Sequence, residues 1–326
     1  MDIKAIYVFL QADLARVETL IGTALGSDIG LLDQTNRQLR EHPGKMMRPV
    51  LALLAAGAVG TVNESTFHYA AATELLHNAT LLHDDVVDGA TERRGMPTVY
   101  KLIDAPAAVL IGDFWLVRCL KLVLSAQVEP QRVLTLFSDT LGHLAEGELL
   151  QMEKAAHADT TEEDYLRIIY GKTASLFVST VTSAAISVKA TQEQVEALGN
   201  FARLLGIAFQ IKDDILDYQE PSAALGKPVG IDLREQKITQ PLLCALKTVS
   251  PEEEALIRRK VADIAGHPEL EEEVRNFVIG REGPARAEAV LEGYIEKALR
   301  CLDGFPDTPQ KACLKELTHF VAGRNA

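Results

Sequence analysis

The sequence predicts an all-α protein, and three observations carry that reading. Apolar residues recur at helical spacing along most of the 326 residues, and strict alternation bounded by turn signals is absent. Long proline-free segments run over 65–88, 107–127, 131–156, 162–189 and 192–218. Segments of that length suit a layered bundle, and a hydrophobic content of 47% can supply its core.

The punctuation between segments agrees. Thr161 ahead of Glu162 and Glu163, and Thr191 ahead of Gln192-Glu193-Gln194, look like helix starts, while Pro251 after Ser250 sits where a first helical turn tolerates proline. Two irregular stretches, Gly89 to Pro97 and Glu220 to Asp232, carry glycine and proline immediately after an acidic helix end, and each reads as a loop beside a site. The C-terminal third reads as shorter helices packed outside the core. With no linker rich in Pro, Gly or Ser, no low-complexity tract and no short repeat, residues 1–326 are expected to form a single domain.

Charge narrows the function. Lys plus Arg is 33 and Asp plus Glu is 46, a net −13, which argues against a nucleic-acid surface. A polyanionic substrate would need a local basic pocket. The four cysteines, Cys119, Cys244, Cys301 and Cys313, lie far apart in sequence and read as reduced thiols of a cytoplasmic protein. The start, Met1-Asp2-Ile3-Lys4, is unlike a secretory signal, and no apolar run reaches the roughly 18 residues of a spanning helix. Peripheral contact with a bilayer stays open.

Two aspartate clusters carry the chemistry. His83-Asp84-Asp85-Val86-Val87-Asp88 ends one apolar helical segment, and Lys212-Asp213-Asp214-Ile215-Leu216-Asp217 ends another. Positions i and i+4 share a helix face, so Asp84 with Asp88, and Asp213 with Asp217, stand together. Grouping carboxylates at the negative end of a helix dipole is unfavourable, and a hard divalent cation offsets it. One such cluster arises by chance in roughly one chain in fifteen, two in only a few per thousand, so the pair is informative where either alone is weak. A zinc site on His83 would lack a second soft ligand at helical spacing.

Cations accompany the acids. Lys45 and Arg48 lie three apart, Arg93 and Arg94 follow the first cluster, Lys172 and Thr173 sit within a mainly apolar segment, and Lys227, Lys237 and Thr239 follow the second cluster. A lysine among apolar residues needs a partner, either a diphosphate with its metal or, in the plainer reading of Lys172, an acidic side chain. His77 stands two turns before Asp84 on nearly the same face. A core histidine is its plainer alternative.

Taken jointly, G-K-x-x-R-P at 44–49, L-x-H-D-D-x-x-D at 81–88, R-R-G at 93–95, G-K-T at 171–173, Q-x-x-D-D-x-x-D at 210–217 and G-K-x-x-G-x-D-L-x-x-x-K-x-T-x-P at 226–241 resemble the trans-isoprenyl (polyprenyl) diphosphate synthases over essentially the whole chain. The resemblance implies a homodimer, ten or more helices around a central apolar cavity, and aspartate clusters facing each other at its mouth. It implies that Asp84, Asp88 and Asp213 hold about three Mg²⁺ ions. Arg93, Lys172, Thr173, Gln210, Lys227 and Lys237 would surround the allylic diphosphate, with Lys172, Gln210, Lys227 and Lys237 acting in catalysis. Lys45, Arg48, His77 and Arg94 would hold isopentenyl diphosphate. Asp85, Asp214 and Asp217 are expected to shape the field and bind outer water rather than metal.

Product length is read from the helix before Asp84. Ala79 and Thr80 lie where aromatic residues would block a growing tail, and Leu75 and Leu76 come a turn further. Ala79 leaves room, so the expected product exceeds C20. The H-N-A-T-L-L-H-D-D-V-V-D and G-K-T-A-S-L-F segments look closest to medium- and long-chain, octaprenyl-type synthases. A short-chain farnesyl or geranylgeranyl synthase, a terpene cyclase and a non-catalytic subunit of a heteromeric synthase are the alternatives. Dependence on isopentenyl diphosphate separates the cyclase.

Overall fold

The computed structural model describes residues 3–41, 44–93, 95–219 and 230–324. Helix follows helix: α1 (Ile3–Phe9), α2 (Gln11–Ala24), α3 (Gly30–Glu41), α4 (Met47–Val59), α5 (Glu64–Val87), α6 (Val99–Leu102), α7 (Ala105–Ser125), α8 (Pro130–His157) and α9 (Glu162–Ile169). After a π-helical turn at Tyr170–Ala174 come α10 (Ser175–Ser187), α11 (Gln192–Leu216), α12 (Ile231–Arg234), α13 (Gln240–Leu246), α14 (Pro251–Asp263), α15 (Glu269–Gly280), α16 (Gly283–Cys301) and α17 (Pro309–Gly323). The helix starts read from sequence are present: Thr161 and Asp164 form a capping box, Thr191 and Gln194 bond reciprocally, and Ser250 caps α14.

Among the described residues a single short strand pair accompanies the helices, within the all-α expectation. Glu92–Arg93 (β1) pairs antiparallel with Met96–Pro97 (β2), inside the first irregular stretch. Gly95 sits at φ 76, a left-handed turn conformation that favours glycine. The second irregular stretch lies largely outside the described residues.

The chain falls into two compact units interleaved in sequence: residues 1–138, 179–199 and 305–314 form one, and residues 139–178, 200–304 and 315–326 the other. In the first, α5 packs against α7, α4 and α2. The capping box of Asn63 with Thr66 starts α5, and α4 buries nine residues, from Pro49 to Ala58, so it is covered nearly all round. Gly112 on α7 makes room for His83: a Cβ there would lie 2.3 Å from the imidazole Nε2.

In the second unit the apolar side of α11, with Ile207, Ile211 and Ile215, shares one core with Tyr165, Ile169, Leu242, Val261, Val274 and Leu291. Every residue of α13 is buried. This corrects the expectation that the C-terminal third packs outside the core, because α13 is an almost continuous apolar run and α14 to α16 each bury an apolar stripe against the same cluster. The π-turn crosses α8 at a contact between glycines. A Cβ on Gly171 would sit 2.6 Å from the His143 carbonyl oxygen and 2.9 Å from Gly147 Cα.

Candidate active site

In the first unit, α5 runs through Val87 with Asp88 as its C-cap, so the first aspartate cluster occupies the last turn, as its spacing predicts. Asp85 is buried and turned to Arg93, whose Nε donates to Oδ1 at 2.7 Å. Burial raises the Asp85 carboxyl above its ordinary range, and the hydrogen bond and charge of Arg93 oppose that rise. Asp84 is half-buried and Asp88 exposed. His83 is engaged with α7, its Nε2 lying 3.3 Å from the Val109 carbonyl oxygen and 3.5 Å from Asp113.

Of the residues expected to hold isopentenyl diphosphate, Lys45 is exposed with its carbonyl accepting from the Tyr7 hydroxyl, while Arg48 and His77 are half-buried. Arg94 lies outside the described residues. Leu75, Leu76 and Ala79 are fully buried, and Thr80 is half-buried with its hydroxyl donating to the His77 carbonyl at 2.9 Å. A cavity of about 640 Å³ within this unit is lined by α2 residues, Met46, Glu74 and Asn78. Its α5 members flank Leu75, Leu76 and His77 in sequence.

In the second unit the other cluster ends α11. Asp214 is buried and receives the Tyr165 hydroxyl at 2.6 Å and the Gln210 amide at 3.0 Å. Burial pushes its carboxyl up to about 7 against those donors. Asp217 accepts the backbone N–H groups of Ile231 at 3.2 Å and Asp232 at 3.1 Å, so it fastens the chain returning into α12. The three aspartates not expected on metal, Asp85, Asp214 and Asp217, therefore each hold protein donors.

Asp213 is different. Its side chain is 41% exposed, and Oδ1 lies 2.9 Å from Nη2 of Arg324, a cation already seated on the carboxylate. Arg324 also stacks over Phe209, 3.9 Å from the ring centroid, and donates to the Phe209 carbonyl at 2.7 Å. The hard oxygens of this half-exposed carboxylate suit a divalent cation, which would take the place of Arg324 on them.

Two cations of this unit, Lys172 and Lys237, line a cavity of about 130 Å³ together with Gln210, Tyr165, Asp214 and Asp232, among others. Lys172 lies in the π-turn and pairs with Glu148 at 2.5 Å, the acidic partner its plainer reading required. Thr173 donates to Gln210 Oε1 at 2.8 Å, and Lys237 pairs with Glu235. Lys227 lies outside the described residues. Sequence reasoning missed Glu148, Tyr165 and Arg324, whose partners are remote in the chain and leave no local spacing to read.

Comparison with known proteins decides the lineage. The family described as Polyprenyl synthetase matches residues 30–278. The chain belongs to the polyprenyl synthetase family. This synthetase is 38% identical to the octaprenyl diphosphate synthase of Escherichia coli (strain K12) over all of both chains, and 38% identical to an all-trans-nonaprenyl-diphosphate synthase (geranyl-diphosphate specific) of Rhodobacter capsulatus over 96% of this chain and 95% of the relative. A decaprenyl diphosphate synthase crystal structure from Rhodobacter capsulatus superposes with a TM-score of 0.90 at 35% identity, covering 99% of each chain. A polyprenyl synthase from Caulobacter crescentus CB15, complexed with calcium and isoprenyl diphosphate, superposes with a TM-score of 0.90 at 33% identity, covering 98% of this chain and 97% of that one. The synthetase is thus a prenyltransferase with the all-α isoprenoid synthase fold.

Proposed function

We propose that this synthetase adds isopentenyl diphosphate units to an allylic diphosphate and releases an all-trans polyprenyl diphosphate longer than C20. The observation that carries the reading is a pair of aspartate clusters, each closing a long helix, in which Asp85 and Asp214 are buried on protein donors while Asp84 and Asp213 reach solvent and Asp213 holds the cation of Arg324. In this reading Asp84, Asp88 and Asp213 hold about three Mg²⁺ ions. Bound there, the metal supplies Lewis-acid stabilisation of the leaving diphosphate.

The chain's own groups do the rest. Arg93, Lys172, Thr173, Gln210, Lys227 and Lys237 hold the allylic diphosphate, and Lys172, Gln210, Lys227 and Lys237 stabilise the charge that develops as the carbon–oxygen bond breaks. Lys45, Arg48, His77 and Arg94 fix isopentenyl diphosphate so that its double bond meets the allylic cation, replacing an encounter in solution by positioning. The departing diphosphate takes the proton that ends each addition. Lys172 exchanges Glu148, and Arg93 exchanges Asp85, for phosphate oxygens when substrate enters.

A long product is supported by the small Ala79 one turn before the cluster and by the octaprenyl, nonaprenyl and decaprenyl names of similar proteins. Three further proposals accompany it. The chain acts as one domain, since it crosses between its compact units five times, whereas separate domains join at few exposed linkers. It works as a homodimer, for Leu110, Val117 and Leu124 present an exposed apolar stripe on α7. It resides in the cytoplasm and touches the bilayer only peripherally, to release product. Among the described residues no helix is long and apolar enough to cross a membrane, and the four cysteines are free.

The test is incubation with labelled isopentenyl diphosphate and several allylic primers, followed by product chromatography. Wild type should yield all-trans chains longer than C20. Asp84→Ala and Asp213→Ala should lose turnover by about a hundredfold or more with helical circular dichroism intact, and Ala79→Phe should shorten the product. Near-normal turnover in both aspartate variants, or an unchanged ladder in Ala79→Phe, would refute the corresponding part.

A further inference from the structure

We infer that Tyr165 is a positioning residue for the acidic end of α11, acting through Asp214 on Gln210 and Asp213; the inference rests on the placement of those two residues at the diphosphate proposed above. Tyr165 stands on α9, 3% exposed, within the shared core of the second unit. Its ring fills apolar space that phenylalanine would fill equally well. Its hydroxyl donates to Asp214 Oδ2 at 2.6 Å. Nothing in a purely packing role requires that bond.

The consequence follows from what Asp214 does next. Its other oxygen, Oδ1, accepts from Gln210 Nε2 at 3.0 Å, one turn back on α11. In its ionised form this carboxyl only accepts, and it then dictates which end of the Gln210 amide faces it. The amide oxygen is thereby turned the other way, where it accepts from Thr173 Oγ1 at 2.8 Å in the π-turn. One hydroxyl on α9 thus fixes the sense of a chain running Tyr165, Asp214, Gln210, Thr173, across three elements. Asp213, the neighbour of Asp214 in the backbone, is aimed by the same anchorage.

Without the Tyr165 hydroxyl, Asp214 keeps its burial and loses one of its side-chain donors, retaining Gln210 and the backbone of Gln240. A buried carboxylate missing a donor is costly, and it recovers by rotating toward other donors. Rotation frees the Gln210 amide to turn over, exposing an NH₂ group to Thr173 and moving its oxygen off the hydroxyl. Binding groups then remain present but are no longer preorganised, which costs transition-state stabilisation more than substrate affinity.

Tyr165→Phe is the direct test. The expected outcome is unchanged circular dichroism, kcat reduced about tenfold, KM for isopentenyl diphosphate unchanged, and Mg²⁺ binding in the presence of inorganic pyrophosphate weakened about tenfold by calorimetry. Combined with Asp214→Asn, Tyr165→Phe should add less than about a twofold further loss, because both changes break one linkage. If Tyr165→Phe does not fold, 3-fluorotyrosine at position 165 retains the ring and should shift kcat and pyrophosphate-dependent Mg²⁺ binding together.

Wild-type kcat and metal binding in Tyr165→Phe, or a fully additive double variant, would overturn the inference while Asp213→Ala still loses turnover. Full turnover in Asp213→Ala overturns it differently, by removing the site placement beneath it.

Discussion

Arg93, proposed above to meet the allylic diphosphate, has a part in stability as well. Its guanidinium is the partner of the buried Asp85, whose carboxyl burial already drives upward. Removing the guanidinium leaves a carboxylate in the protein interior with a donor missing. Because Arg93 is itself 36% exposed, solvent screening discounts the loss, and Arg93→Leu should destabilise the metal-free protein by about 1–2 kcal/mol in urea titrations at neutral pH. The sign with pH is fixed. The variant's Asp85 rises further, so the loss belongs to the ionised carboxylate and shrinks at pH 4 as Asp85 takes a proton. Equal stability of variant and wild type at neutral pH would show that Asp85 has another donor. At this scale the grouping of Asp84 with Asp88 and of Asp213 with Asp217 at helix ends was legible, because i and i+4 spacing is a property of the helix alone. Tyr165 was not: its partner Asp214 is 49 positions away, and only the packing of α9 on the core of α11 brings them together.

At the scale of elements, the crossing of α8 with the π-turn is set by Gly147 and Gly171. Their backbones approach so closely that a methyl group on Gly171 meets the His143 carbonyl. Gly171→Ala should therefore separate the two elements, lower stability by about 1–3 kcal/mol and displace Lys172 from Glu148. A melting curve and an activity assay check it, and wild-type values in both would mean the backbone yields without cost. Helical periodicity revealed the long helices and their caps. The β1–β2 pair and the π-turn escaped it, since two-residue strands have no alternation to detect and a five-residue turn hardly disturbs the apolar phase. Burial of α13 escaped for another reason: a seven-residue apolar run reads alike in a core and at a periphery.

For the whole molecule, the exposed face of α7 is the informative feature. Leu110, Val117 and Leu124 recur every seven residues and are 67%, 50% and 53% exposed. Spaced so, they drift only about 20° per step and make one continuous apolar stripe. If this stripe is the face of the proposed homodimer, wild type should sediment as a dimer and Leu110→Glu combined with Val117→Glu as a monomer; a monomeric wild type or an unchanged mass would count against that proposal. Sequence could not reveal the stripe, because α7 is apolar on its inner face too, at Ile111, Trp115 and Leu122, and only packing distinguishes the two faces. The interleaving of the two compact units was equally hidden, since it depends on which distant segments touch.

Tyr170–Ala174 has one last implication. A wide turn of this kind is a helix that has absorbed a surplus residue without breaking. Deleting any single residue there would restore ordinary winding, and everything ahead of it on that rod would swivel by about 100°. Tyr165 would leave Asp214 even though no atom of either had been altered. The extra residue works as a phase setting: the number of residues in the turn decides which way α9 faces.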